Sequence, residues 1–101
     1  MQVLLVEDDR RISEYLVKGL EEQGFSVTLC EGGSEARDLL FRGDWHIIVM
    51  DIMLPDIDGI QLTKLLRYRK DFTPVIVLSA LSETQDKISA LDSGADDYLV
   101  K

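Results

Sequence analysis

Five short apolar runs, each separated from the next by a longer stretch of helical spacing, constrain this chain more than any other feature. The runs are Val3–Val6, Phe25–Leu29, Ile47–Met50, Val75–Leu78 and Tyr98–Val100. Phe25–Leu29 alternates as a half-buried strand does, whereas Ile47–Met50 and Val75–Leu78 are apolar throughout, as strands covered on both faces are. After the first run, Ile12, Leu16 and Leu20 recur at i, i+4 and i+8 with Tyr15 beside them, which predicts a helix with one apolar face. Gly24 predicts its end. Gly32-Gly33-Ser34 turns into a second helix carrying Ala36, Leu39 and Leu40. Pro55 and Gly59 punctuate a loop, and Ile60, Leu62, Leu65 and Leu66 mark a third helix. Ser82 and Gln85 have the spacing of a capping box for a fourth, with Ile88 and Leu91 on one face and Gly94 as its C-cap. The order is βαβαβαβαβ, which predicts an α/β fold with a parallel sheet covered by helices on both faces.

A length of 101 residues suits one domain, spanning 1–101. The net charge of −8 opposes binding to DNA phosphates or anionic lipid. Cys30 stands alone and cannot form an internal disulfide, which fits a reducing compartment. The opening apolar run is too short for a signal peptide, and no stretch approaches the ~20 apolar residues of a membrane span. A cytoplasmic protein that does not enter the membrane is expected. The last apolar run stops at the chain end with no helix after it, which would leave part of one sheet face uncovered; a natural chain that continues is expected.

In open parallel sheets, functional groups collect at the carboxyl ends of the strands. Here those ends carry Glu7, Asp8 and Asp9, then Asp51, then Ser79, then Lys101. Clustered carboxylates repel unless a cation or protons compensate, and an oxygen-only ligand set suits a partly hydrated Mg²⁺. An aspartate beside such an ion can act as a nucleophile towards phosphorus. The Ser79 hydroxyl and the Lys101 ammonium are then candidates to share the phosphoryl oxygens. For Asp9 the plain alternative is a helix cap. That alternative is weaker for Asp51, because a carboxylate that ends a buried apolar strand needs a reason.

Four segments together resemble the receiver domains of bacterial two-component response regulators: Leu5-Val6-Glu7-Asp8-Asp9, Met50-Asp51-Ile52-Met53-Leu54-Pro55-Asp56-Ile57-Asp58-Gly59, Pro74-Val75-Ile76-Val77-Leu78-Ser79-Ala80 and Gly94-Ala95-Asp96-Asp97-Tyr98-Leu99-Val100-Lys101. The resemblance implies a flavodoxin-like doubly wound sheet of five parallel strands in the order 2-1-3-4-5. It also implies a fifth helix and an effector domain beyond Lys101, so that 1–101 is a receiver domain truncated at its C-terminus. Asp51 matches the phosphoacceptor. Asp8 matches a direct Mg²⁺ ligand, Glu7 one acting through water, and the Met53 backbone carbonyl the third protein ligand. Ser79 and Lys101 match the hydroxyl and the lysine that bond the phosphoryl group. Tyr98 matches an aromatic switch that turns inward, although a strand aromatic packed on the fourth helix is the plain reading. The Ala95-to-Tyr98 segment with Lys87 resembles the subfamily that carries a winged-helix DNA-binding domain. Lys87, Asp96 and Asp97 are then candidates for a two-fold dimer face, against a plain reading of solvated surface charge. The partners implied are a sensor histidine kinase, a second copy of the chain, and DNA through the C-terminal domain only.

Not an enzyme in the ordinary sense, such a switch is expected only to phosphorylate and dephosphorylate itself. A Mg²⁺-dependent phosphohydrolase would resemble Asp-x-Asp at the nucleophile strand, where this chain has Asp51-Ile52-Met53. A degenerate receiver used only for interaction would have lost matched residues, and none is missing. His46, Cys30 and Trp45 are expected to be structural, and Arg67, Tyr68, Arg69 and Lys70 to form a small basic end to the third helix.

Overall fold

The computed structural model describes residues 1–54, 56–80 and 84–101. The expected loop proline, Pro55, and the capping-box serine, Ser82, lie outside the described residues. Five strands form one sheet: β1 (Gln2–Val6), β2 (Ser26–Cys30), β3 (Ile47–Asp51), β4 (Val75–Ser79) and β5 (Asp97–Val100). Between them lie α1 (Arg10–Glu22), α2 (Gly33–Arg42), α3 (Gly59–Tyr68) and α4 (Thr84–Asp92). All neighbouring strands pair in parallel, in the order β2-β1-β3-β4-β5. The flavodoxin-like order expected from the resemblance is the order observed.

Alternate strand residues face opposite layers. Leu4, Val6, Ile48, Met50, Val75, Val77 and Tyr98 form one buried cluster with Ala36 and Leu40 of α2, Leu62 and Leu66 of α3, and Ala90 of α4. Helix α1 lies over the other face. There its expected apolar stripe is only half sunk: Ile12, Leu16 and Leu20 are partly buried, and Tyr15 is 78% exposed. The apolar face expected of α4 is a correction of the same kind. Ile88 and Leu91 are exposed, and the helix buries Ala90 instead. In each case the spacing was helical, but the partner layer covers a different angle of the helix.

Helix ends follow local chemistry. Asp9 N-caps α1 through Arg11 and Ile12, as the plain reading held, and Asp58 N-caps α3 through Ile60. Three helices end in a Schellman pattern. After α1, Gly24 N–H donates to Glu21 and Phe25 N–H to Leu20. After α4, Gly94 donates to Leu91 and Ala95 to Ala90. After α3, Lys70 donates to Arg67 and Asp71 to Leu66. Gly24 and Gly94 take the left-handed conformation at φ 91° and 113°, and Lys70 takes it at φ 59° without being glycine.

Candidate functional site

The strand register brings the acidic residues together. β1 pairs with β3, so Val6 lies opposite Met50, and Glu7 and Asp51 follow on adjacent strand ends. β3 pairs with β4, so Asp51 lies opposite Leu78, with Ser79 one residue further. β4 pairs with β5, and Lys101 N–H donates to the Ser79 carbonyl at 2.7 Å. The strand ends that bear Glu7, Asp51, Ser79 and Lys101 therefore form one rim.

Lys101 closes the cluster. Its Nζ lies 2.7 Å from Glu7 Oε1 and 2.9 Å from Asp51 Oδ2. Glu7 is fully buried, and its second oxygen accepts from Asp9 N–H at 3.0 Å. Asp51 is 4% exposed, and its Oδ1 accepts from Met53 N–H at 3.1 Å. Burial pushes the Glu7 carboxyl above its ordinary range, an effect that Lys101 and the Asp9 N–H oppose and the Asp51 charge reinforces. Burial alone would depress the Lys101 ammonium, but its bonds to Asp51 and Glu7 raise it overall. The ammonium thus partly neutralises two carboxylates that would otherwise repel each other at low dielectric.

Asp8 stands exposed beside them. Carboxylate oxygens of Glu7, Asp8 and Asp51 lie within 4.8 Å of one another, a grouping that could hold a metal ion. Its donors are all hard oxygens, which matches the chemistry of a small divalent cation rather than a soft one. Ser79 ends β4 with its side chain buried, and Tyr98 is buried in the core beside α4.

The profile of the response regulator receiver domain matches residues 3–101. The chain belongs to that family. The transcriptional regulatory protein CusR of Escherichia coli K12 is 43% identical to this receiver over 101 residues, all of this chain and 44% of CusR. HprR of the same organism is 43% identical over the same length, 45% of its own. The receiver chain thus spans less than half the length of these curated relatives. Among solved structures, the receiver domain of the Francisella response regulator 1452 is 44% identical, with a TM-score of 0.94 over 99% of this chain and 83% of that one. TrrA of Thermotoga maritima, solved in complex with Mg²⁺ and BeF, is 32% identical, with a TM-score of 0.87 over 99% of this chain and 85% of that one.

All three residues expected on a dimer face of the receiver, Lys87, Asp96 and Asp97, stand exposed. Asp96 also makes contacts within its own protomer: its Oδ2 accepts from Val75 N–H at 2.8 Å and pairs with Arg67 Nη2 at 2.9 Å. Arg67 stands in the last turn of α3, as expected of a basic helix end, and its guanidinium is fully engaged. Its Nε donates to the Gly94 carbonyl, and its Nη1 donates to the carbonyls of Asp71 and Thr73. One guanidinium thereby ties α3 to the turn after α4 and to the start of β4. Arg69 lies over the Phe41 ring at 4.1 Å. The residues expected to be structural are so: Trp45 donates to the Leu39 carbonyl, His46 Nδ1 accepts from Gln2 N–H, and the buried Cys30 thiol donates to the Gly32 carbonyl. No helix among the described residues is long and apolar enough to cross a membrane.

Sequence reasoning missed Asp56. Its carboxylate, in the loop between β3 and α3, accepts from the backbone N–H groups of Gly33 and Ser34 at the start of α2. Those bonds hold its carboxyl down at about 2. A signal was present only indirectly: α2 opens on glycines and supplies no side-chain cap of its own.

Proposed function

We propose that Asp51 accepts a phosphoryl group from the phosphohistidine of a sensor histidine kinase, and that the modified carboxylate switches the face formed by α4 and β5. The observation that carries this reading is the Lys101 ammonium held between Glu7 and Asp51, with Asp8 within reach of the same point. Three neighbouring carboxylates with one ammonium remain net negative, so the set fits a hard dication. Mg²⁺ bound there by Asp8, Asp51 and the Met53 carbonyl, with Glu7 acting through water, would neutralise charge on the phosphoryl oxygens. TrrA, solved with Mg²⁺ and BeF, is a supporting precedent.

The chain's own residues have separate tasks. An Asp51 oxygen forms the bond to phosphorus as the bond from phosphorus to the donor imidazole nitrogen breaks, and the imidazole leaves with that electron pair. Met53 N–H and Lys101 Nζ each bond one Asp51 oxygen and so orient the carboxylate before reaction. Lys101 then moves its charge to the new phosphoryl group, and the Ser79 hydroxyl bonds it as well. Drawing Ser79 towards phosphate changes the space beside Tyr98, whose ring exchanges between its buried position and an outer one. The chain acts as a substrate of the kinase and as a catalyst only for its own phosphorylation and dephosphorylation. Lys87 and Asp97, with the outer edge of Asp96, lie on the face proposed to pair with a second copy. Output on transcription passes through a DNA-binding domain outside this segment, as the names of relatives such as CusR support. A regulator of this kind works in the cytoplasm.

Incubation with a small phosphodonor and Mg²⁺, followed by intact-mass measurement, tests the assignment. The wild-type chain gains one phosphoryl mass and Asp51→Asn gains none. Labelling of the variant at another residue would overturn it.

A further inference from the structure

The loop between β3 and α3 carries Met53 and is fastened at two places. Its base is closed by backbone: Met53 and Asp58 form an isolated antiparallel bridge, and Gly59 N–H donates to the Ile52 carbonyl at 2.8 Å. A Cβ at Gly59 would overlap the Asp51 carbonyl, so the loop closes directly on the phosphoacceptor strand. Its tip is fastened to a different element. Asp56 Oδ1 accepts from Gly33 N–H at 2.6 Å, and Oδ2 accepts from Ser34 N–H at 2.9 Å. Ile57 fills the space that a Cβ at Gly33 would need.

Neither fastening at the tip is a local necessity. The bonds span 23 and 22 residues. Helix α2 begins after Gly32, which has no side chain, so its first N–H groups need an acceptor from elsewhere. A carboxylate serves this end better than a neutral group, because it also meets the positive end of the helix dipole. The low carboxyl pKa keeps it charged at neutral pH.

We infer that Asp56 is a positioning residue for the Asp51 site: by bonding the N-terminus of α2 it holds the loop, and with it the Met53 carbonyl, in the register that the metal site requires. This inference rests on the Mg²⁺ site proposed above. With the tip released, the loop remains tethered at its base and samples other registers. The apparent affinity for the ion then falls in proportion to the fraction of loops still competent. By linkage, an ion that selects the competent register also tightens the contact between Asp56 and α2.

Mg²⁺ titration of the 101-residue chain by calorimetry tests this, with Asp56→Ala, Asp56→Asn and Trp45→Phe beside the wild type. Trp45→Phe is the structural control, since it removes the bond from Trp45 Nε1 to the Leu39 carbonyl at the far end of α2. Asp56→Ala is expected to raise the half-saturating Mg²⁺ concentration roughly three- to tenfold. Asp56→Asn, which keeps one acceptor oxygen, falls between that variant and the wild type. Trp45→Phe lowers the melting temperature without moving half-saturation. In the wild type, saturating Mg²⁺ slows hydrogen exchange at the Gly33 and Ser34 amides. Wild-type half-saturation in Asp56→Ala, or an equal shift in Trp45→Phe, overturns the inference while leaving the metal site standing. No saturable Mg²⁺ binding by the wild type overturns the metal site and this inference with it.

Discussion

The two faces of the sheet are made from alternate residues of the same five strands, and within residues 1–101 the helices cover them unequally. On the face beneath α2, α3 and α4, Leu4, Ile48, Met50, Val75 and Val77 are fully buried. On the face beneath α1, Leu5 is equally buried at the centre, but Leu99 at the β5 side is 48% exposed. A groove of about 630 Å³ opens there between Ile12, Tyr15 and Leu16 of α1 and Leu78, Leu99 and Val100 of the sheet. Glu7 and Asp51 continue the rows of Leu5 and Val49, so the acidic site belongs to the strand rows of the open face. Packing energy and chemistry are thereby separated by the pleat. One set of alternate residues supplies the core beneath α2, α3 and α4, while the other ends, on β1 and β3, in the buried carboxylates of Glu7 and Asp51.

The sharpest way to break this comparison is to shorten one leucine on each side. Leu62→Ala on the closed face is expected to cost about 2–5 kcal/mol, because a fully buried side chain leaves a cavity its neighbours cannot fill. Leu99→Ala on the open face is expected to cost under about 1 kcal/mol, since half of that side chain already meets water. Urea unfolding of both variants decides the matter. Equal losses would mean that the groove is not slack in solution.

Lys101 probes the charged rim of the open face. Lys101→Met removes the ammonium that faces both Glu7 and Asp51, at an expected cost of roughly 2 kcal/mol near neutral pH without divalent cation. The pH dependence carries the sign. Glu7 already has a raised carboxyl pKa through burial, and loss of its cation raises it further. A carboxyl whose folded pKa exceeds its unfolded value of 4.5 gives stability below that value and loses it as pH rises through the folded pKa. The variant's deficit is therefore expected to be smallest near pH 4 and to grow towards pH 8. A deficit that grows towards acid would show that the Glu7 pairing is not what Lys101 stabilises.

Arg67 tests the closed side at the opposite end of the strands. Arg67→Ala frees the carbonyls of Asp71, Thr73 and Gly94 and the Asp96 carboxylate, and is expected to cost about 1–3 kcal/mol. Arg67→Lys is expected to recover less than half of that, because an ammonium cannot reproduce the planar fork that reaches four partners. Full recovery by lysine, measured by thermal unfolding, would reduce the role of Arg67 to its charge.

These residues also show where sequence reasoning stopped. Strand ends were legible, because each apolar run is short and stops at a polar residue, and register then assembles Glu7, Asp51, Ser79 and Lys101 without further information. The Asp9 cap was legible because capping is local. The contacts of Arg67 with Gly94 and of Asp56 with Gly33 were not, because they join residues 27 and 23 apart in sequence. Ile88 and Leu91 misled because spacing reports that a helix has an apolar side, not whether another layer covers it.

Helix endings repeat that lesson at the smallest scale. Gly24 and Gly94 announced the ends of α1 and α4, whereas α3 ends in the same Schellman pattern with Lys70 in the left-handed position. A side chain there costs about 1–2 kcal/mol, because its Cβ crowds the following carbonyl. Glycine removes that cost but loses about 0.4–1 kcal/mol through the greater freedom of the unfolded chain. Lys70→Gly is therefore expected to stabilise the protein by roughly 0.5 kcal/mol, read as a higher urea midpoint with an unchanged slope. A lower midpoint would mean that Lys70 makes a compensating contact that outweighs the strain of its backbone.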